Sequence, residues 1–261
     1  MTRPKGLLLD LDGVFYIGRR LLPGARETLA WVREQNIPCR FLTNTSTKNS
    51  AELVDKLEGL GLSVEAEEIL SAVSATKAYL MNQGEPLPKV ELVTRESARE
   101  EFSEFPPAEN GQADFVVIGD IGAAWSYDLL NRLFRLLMNG AQLVAMHRNR
   151  FWEDEDGLRM DIGAFVAGLE YVTGQQAVII GKPSADFFTL ALQQLECEAG
   201  EGVMVGDDIH SDIGGARAQG LQACLVRTGK FREETLAESD VQPDALLDSI
   251  ADLPTWWDSV R

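Results

Sequence analysis

The sequence lacks the features that mark several large classes of protein. Only three cysteines occur in 261 residues, Cys39, Cys197 and Cys224, and none has CxxC spacing. Three thiols cannot all pair, and Cys39 and Cys224 sit inside the apolar runs Pro38–Thr43 and Cys224–Val226. They read as reduced, mostly buried side chains of a cytosolic protein, not as a disulfide framework. No stretch approaches the roughly 18 consecutive apolar residues of a membrane span. Met1–Leu9 leads straight into a strand pattern without a signal-peptide cleavage site, so the chain reads as cytoplasmic and unprocessed. Positive charge is scarce: 24 Lys and Arg face 41 Asp and Glu, a formal net charge of -17. That balance repels phosphate backbones and anionic lipid head groups, which speaks against nucleic acid and membrane as partners. Low-complexity tracts and short-period repeats are absent, and 45% hydrophobic with 25% charged residues rules out disorder, collagen and coiled coil. What remains is a globular chain of one large domain or two modest ones with a sizeable core.

The apolar patterns alternate between strand and helix. Gly6–Leu11 is a short apolar run that ends on carboxylates and Gly13, the signature of a buried central strand. Pro23 opens a helical pattern carrying Leu29, Trp31 and Val32, stopped by Gln35–Pro38, and Cys39–Thr43 reads as the next strand. Helices are expected over Ser50–Leu60, ended by Gly61, and Ser71–Gln83. Beyond the breaks at Glu85–Pro88 and Phe105–Gly111 come strands at Lys89–Val93, Asp114–Ile118, Gln142–Met146 and Ala177–Ile180, with helices at Tyr127–Met138 and Gly163–Tyr171. After Gly181 the first pattern resumes: helix Ser184–Leu195, strand Gly202–Val205, helix Ile213–Gln219, strands Ala223–Arg227 and Ala245–Leu247, and a terminal helix. The fold class is α/β, a Rossmann-like doubly wound parallel sheet formed by 1–72 and 181–261 and interrupted by an inserted α/β domain at 73–180.

The chemistry concentrates at strand exits. Asp10 and Asp12 lie one residue apart where the first strand ends, so in extended geometry they face one side. Two such carboxylates repel, and the arrangement is stabilised by a cation or by a retained proton. A second cluster, Gly206–Asp207–Asp208 with Asp212, likewise follows an apolar strand. Asp at a strand exit often only caps a turn, but two clusters on two strands whose carboxyl ends converge on one crevice point to a hard, oxygen-ligated ion such as Mg²⁺. Thr43 and Asn44 after the second strand can offer a hydroxyl and an amide to an anion. The following Thr45, Ser46 and Thr47 offer helix caps. Lys182, in Gly181–Lys182–Pro183–Ser184, can balance the carboxylates and bind the same anion.

Asp10–Leu11–Asp12–Gly13, Thr43–Asn44, Gly181–Lys182–Pro183 and Gly206–Asp207–Asp208 with Asp212, in this order, resemble the four motifs of the haloacid dehalogenase superfamily. The long insertion before Gly181 resembles the C2-type α/β cap of its para-nitrophenylphosphatase-like branch. Within it, Leu143–His147, Asp156–Gly157–Leu158 and Gly163–Ala164–Phe165 are similar to the phospholysine phosphohistidine inorganic pyrophosphate phosphatase family. The resemblance implies a Mg²⁺-dependent phosphatase for a small phosphorylated substrate or pyrophosphate. Asp10 would be the nucleophile and Asp12 the general acid and base. Thr43, Asn44 and Lys182 would bind the phosphoryl group. Asp10, the main-chain carbonyl of Asp12, and Asp207 would hold the metal, with Asp208 and Asp212 in direct or indirect support. Some members of the branch carry serine in place of Asp12; its presence here suits ordinary phosphate esters as well as activated bonds.

Two other readings stand beside it: a mutase or dehalogenase of the same superfamily, and a non-catalytic phosphate-binding module like a response-regulator receiver. The length of the insertion and the presence of Asp12 speak against the receiver. The stretch His147–Trp152, with His147, Arg150 and Trp152, is the unusual part of the insertion and the expected surface for reading the leaving group. The cap is also where a second copy of the chain would meet the first in a homodimer. His210 reads as a solvated helix-start residue, Trp256 and Trp257 as anchors of the terminal helix or a dimer contact, and Asp114 and Asp120 as turn residues.

Overall fold

The computed structural model describes residues 3–154 and 157–260. The chain divides into two compact units, Met1–Thr43 with Glu52–Leu70 and Lys182–Arg261, and Asn44–Ala51 with Ser71–Gly181. Among the described residues no helix is long and apolar enough to cross a membrane.

The first unit is built on a six-stranded sheet in the order Ala245–Leu247, Gln222–Val226, Gly202–Gly206, Gly6–Asp10, Cys39–Thr43, Ile69–Ser71. The first five run parallel, with Leu9 opposite Val205 on one side and Phe41 on the other. Gly6–Asp10, Gly202–Gly206 and Gln222–Val226 are buried along their whole length, which is why they read as unbroken apolar runs. Connections leave in opposite directions from the pair Gly6–Asp10 and Gly202–Gly206, so the carboxyl ends of these two strands flank the switch point of the sheet, where open α/β sheets form their crevice. Helix Ala25–Glu34 buries Ala25, Thr28, Leu29 and Val32, one face at helical spacing. Trp31 on it meets Trp257 edge-on at 6.2 Å. Trp257 is buried in the core, so it anchors the terminal helix Leu253–Ser259 and is not free for a dimer contact. Cys39 and Cys224 are buried and Cys197 half-buried, all as free thiols.

The second unit has its own four-stranded parallel sheet, Val178–Ile179, Gln142–Ala145, Phe115–Ile118, Val90–Val93. Helices Tyr127–Met138 and Gly163–Thr173 contribute Leu133, Leu136, Leu137, Val166 and Leu169 to its core. Asp114 and Asp120 are turn residues, their carboxylates accepting from the N–H groups of Lys89 and Gly122. The strip Asn44–Ala51 belongs with this unit through specific bonds. Ser46 Oγ accepts from the Asp120 N–H at 3.1 Å and lies 3.2 Å from His147 Nε2, while the N–H and hydroxyl of Ser50 both donate to Glu101.

Several elements depart from the sequence pattern. The edge strand Ile69–Ser71 and the antiparallel hairpin Phe151–Asp154 with Gly157–Met160 were not expected: the first is only three residues long, and the second is interrupted by a polar tract. Asp156, part of one resemblance motif, lies outside the described residues. The helix expected to begin at Ile213 begins earlier, as a wide π-helical turn over Ile209–Gly214. In it the Ile213 N–H reaches back to the Asp208 carbonyl at 3.2 Å. Such turns concentrate at functional sites, and this one carries Asp212.

Candidate active site

The strand Gly6–Asp10 stops at Asp10, and Leu11–Tyr16 turns back on itself. Phe15 N–H donates to Leu11 O at 2.9 Å and Gly13 N–H to Tyr16 O at 2.7 Å. Asp10 is therefore buried at the carboxyl end of a central strand, 6% exposed, whereas Asp12 leaves the strand and stands exposed in the turn. The strand stops at Asp10, so the second carboxylate is carried by the turn that follows it. The carboxylates that do meet are Asp10, Asp207 and Asp212, whose ligand oxygens all lie within 4.8 Å of one another. Asp212 thus sits inside the trio.

Local backbone makes this crowding sterically feasible. A side chain at Gly206 would begin 2.4 Å from the Asp212 carboxylate, so Gly206 opens the path by which Asp212 reaches inward from its π-turn. Asp207 is wedged between two glycines: a Cβ at either Gly13 or Gly229 would lie 1.9 Å from its Oδ2. The same oxygen accepts the Lys230 N–H at 2.7 Å, and the Thr228 hydroxyl donates to Gly13 O at 2.5 Å, closing the loop after Gln222–Val226 over the site. Asp208 has a different job. Its Oδ1 accepts the N–H groups of His210 and Ser211, both at 3.0 Å, and caps the π-turn. His210 itself is exposed.

The cation at the centre is Lys182, 3% exposed, whose Nζ lies 2.6 Å from Asp10 Oδ1 and 2.7 Å from Asp212 Oδ1. Burial works against its charge, but Asp10 and Asp212 outweigh that and hold its pKa above the usual lysine value. The carboxylates respond in the opposite sense. Burial lifts Asp10 above the ordinary range against the pull of Lys182. Asp207 is pushed well up by burial and then by the charges of Asp10 and Asp212. Asp212 is pushed up to about 6, chiefly by burial. Asp12 is also raised, by the loss of solvent where its carboxyl packs into the turn, against the pull of Lys56, Lys230 and Lys182. Asp208 alone falls: burial opposes its charge, but Lys230 and the two capping N–H groups prevail. Three buried oxygen donors whose negative charge is only partly answered suit a hard divalent cation, so Asp10, Asp207 and Asp212 can hold Mg²⁺.

Thr43 is buried at the end of the strand beside Asp10, in the first unit, while Asn44 belongs to the second unit, its side chain against Gly181. The three residues of the stretch His147–Trp152 part company. Arg150 and Trp152 are exposed, but His147 is 3% exposed, bonded near Ser46 and 4.0 Å from Asp161. His147 is therefore an internal residue of the second unit and not a surface contact, because the strand end it follows carries it inward.

Two cations escaped the sequence reading. Lys230, 3.6 Å from Asp208 through Nζ, follows the strand Gln222–Val226, so the strand-exit reasoning applied to Asp10 and Asp207 would have found it. Lys56 lies on a helix, 3.9 Å over the Tyr16 ring, a contact that only packing creates.

Known proteins share this architecture. Family models described as "Haloacid dehalogenase-like hydrolase" and "HAD-hydrolase-like" match residues 7–105 and 179–253. The chain is 36% identical to the phospholysine phosphohistidine inorganic pyrophosphate phosphatase of Mus musculus, over 97% of this chain and 93% of that one. It is 36% identical to haloacid dehalogenase-like hydrolase domain-containing protein 2 of Bos taurus, over 87% and 86%. The p-nitrophenyl phosphatase of Archaeoglobus fulgidus superposes with a TM-score of 0.90 at 27% identity, covering 97% of this chain and 99% of that one.

Proposed function

The chain belongs to the haloacid dehalogenase-like hydrolases and groups with their phosphatases; on that footing we propose a Mg²⁺-dependent phosphatase for a small phosphorylated metabolite or pyrophosphate, working through an aspartyl phosphate on Asp10. The observation that carries this reading is the buried Lys182 joining Asp10 to Asp212, with Asp207 in the same cluster, at the switch point of the sheet.

In the proposed reaction an Asp10 carboxylate oxygen attacks phosphorus and the bond from phosphorus to the leaving oxygen breaks. Asp12 gives its proton to that oxygen; its raised pKa suits a group that must hold a proton until then. Asp12, now ionised, takes a proton from water, whose oxygen attacks phosphorus and frees Asp10. Lys182, Thr43 and Asn44 bind the phosphoryl oxygens, and Lys182 stabilises the charge of the transferring group. Asp10, Asp207 and the Asp12 carbonyl would hold the metal, Asp212 and Asp208 supporting them; when bound, the ion supplies positive charge to the phosphoryl oxygens. The exposed Arg150 and Trp152 are proposed to read the leaving group: alanine at either should change the ranking of phosphate esters by KM and leave Mg²⁺ affinity untouched, and an unchanged ranking would exclude them. The buried free thiols of Cys39 and Cys224 support a cytoplasmic location.

The test is phosphate release from para-nitrophenyl phosphate and pyrophosphate, with Mg²⁺, after exhaustive chelation, and with Asp10→Asn. Activity should need the metal and vanish in the variant. Turnover that survives both treatments would refute the mechanism, and no turnover on any phosphate compound would favour a non-catalytic phosphate-binding role.

A further inference from the structure

Two lysines attend the carboxylate trio and Asp208, but a third is placed elsewhere. Lys56 lies on the helix Ser50–Gly59, which is fixed in the core by its buried Leu53 and Leu57. Its Nζ sits 3.9 Å from the centroid of the Tyr16 ring, and that ring is 1% exposed. An ammonium over a buried aromatic face is attracted by the ring quadrupole, which holds this charge at the ring. Tyr16 is in turn part of the Asp12 turn: Asp12 and Tyr16 form a bridge, and the Gly13 N–H donates to Tyr16 O at 2.7 Å. Lys56 and Asp12 therefore meet the same residue, one at the ring of Tyr16 and the other at its backbone.

Asp12 is the group that meets the leaving oxygen. A fixed positive charge over the ring of Tyr16, in the same turn as Asp12, gains nothing from a neutral alcohol, which has no charge to offer. It gains a charge-assisted contact from a leaving group that is itself an anion close to the scissile bond. The need is acute here, because a chain with net charge -17 repels an incoming polyanion everywhere except where local cations override it. We infer that Lys56 is a specificity-determining residue that favours substrates whose leaving group carries its own negative charge next to the broken bond, pyrophosphate being the smallest of them. The inference rests on the phosphatase reading above and on Asp12 as its acid.

The experiment compares kcat/KM for pyrophosphate and para-nitrophenyl phosphate in the full chain with Mg²⁺, for wild type, Lys56→Gln and Lys56→Arg. Lys56→Gln should lower the ratio of pyrophosphate to para-nitrophenyl phosphate efficiency by about tenfold or more, the size of a lost charge-assisted hydrogen bond. Lys56→Arg, which keeps the charge and stacks on an aromatic ring, should restore most of it. An equal loss on both substrates, no loss on either, or a wild type that cleaves only para-nitrophenyl phosphate overturns the inference and leaves the phosphatase reading intact. A wild type inactive on both substrates refutes that reading instead, and the inference with it.

Discussion

Replacing Lys182 by methionine keeps an unbranched side chain one atom shorter and removes one buried charge from between two carboxylates. The ammonium lies 2.6 Å from Asp10 and 2.7 Å from Asp212. At an effective dielectric of about 20, each contact is an attraction of roughly 6 kcal/mol. Stripping water from the ammonium and its partners returns several kcal/mol per ion, so the net loss from breaking such a pair is about 3–5 kcal/mol. The variant also leaves Asp10, Asp207 and Asp212 within 4.8 Å of one another without their central cation. Against a total stability on the order of 5–15 kcal/mol, that is a large fraction. Urea unfolding in chelator at pH 8 should therefore show a much lower midpoint for Lys182→Met. The double variant Lys182→Met with Asp212→Asn should recover part of the loss, because one of the stranded carboxylates is then neutral. Addition of Mg²⁺ should raise the midpoint of Lys182→Met more than that of wild type. A loss under about 1 kcal/mol, or a double variant whose loss equals the sum of the two singles, would show that the cluster is not the electrostatic knot its distances describe.

The metal-free protein should also lose stability as pH rises. Asp10, Asp207 and Asp212 titrate above their unfolded values, Asp212 at about 6. The folded state then binds protons more tightly, and the stability present below about 4 is lost as pH climbs through 6. Thermal unfolding in chelator should give a higher Tm at pH 5 than at 7.5, and saturating Mg²⁺ should abolish the difference; a Tm that rises over this range without metal would contradict the shifts. Gly206→Ala places a methyl 2.4 Å from the Asp212 carboxylate. It should weaken Mg²⁺ binding measured by calorimetry and cut turnover at least tenfold while the strand still folds, and wild-type metal affinity would show that Asp212 does not need this path. Asp12→Asn should slow turnover by roughly 10²–10⁴-fold for poor leaving groups and less for good ones. A uniform loss across leaving groups of widely spaced pKa would remove Asp12 from the acid role.

Much of this protein is written locally in its chain. Buried parallel strands must be apolar throughout, so Gly6–Asp10, Gly202–Gly206 and Gln222–Val226 announce themselves as short hydrophobic runs. The carboxylates and Lys182 stand at strand exits, where a doubly wound sheet gathers them, so their grouping follows from order along the chain once that sheet is assumed. Tertiary structure alone decided the rest. Whether Asp12 or Asp212 joins Asp10 depends on where a strand stops and on a π-turn set by the Asp208 cap. His147 looked like part of a basic surface loop, yet it points into the second unit toward Ser46, a residue about a hundred positions away. Lys56 gained its place over Tyr16 only when its helix packed. Hydrophobic period and strand-exit chemistry are properties of neighbours in sequence, whereas a charge's partner is settled by how distant segments are brought together, and no local pattern records that distance.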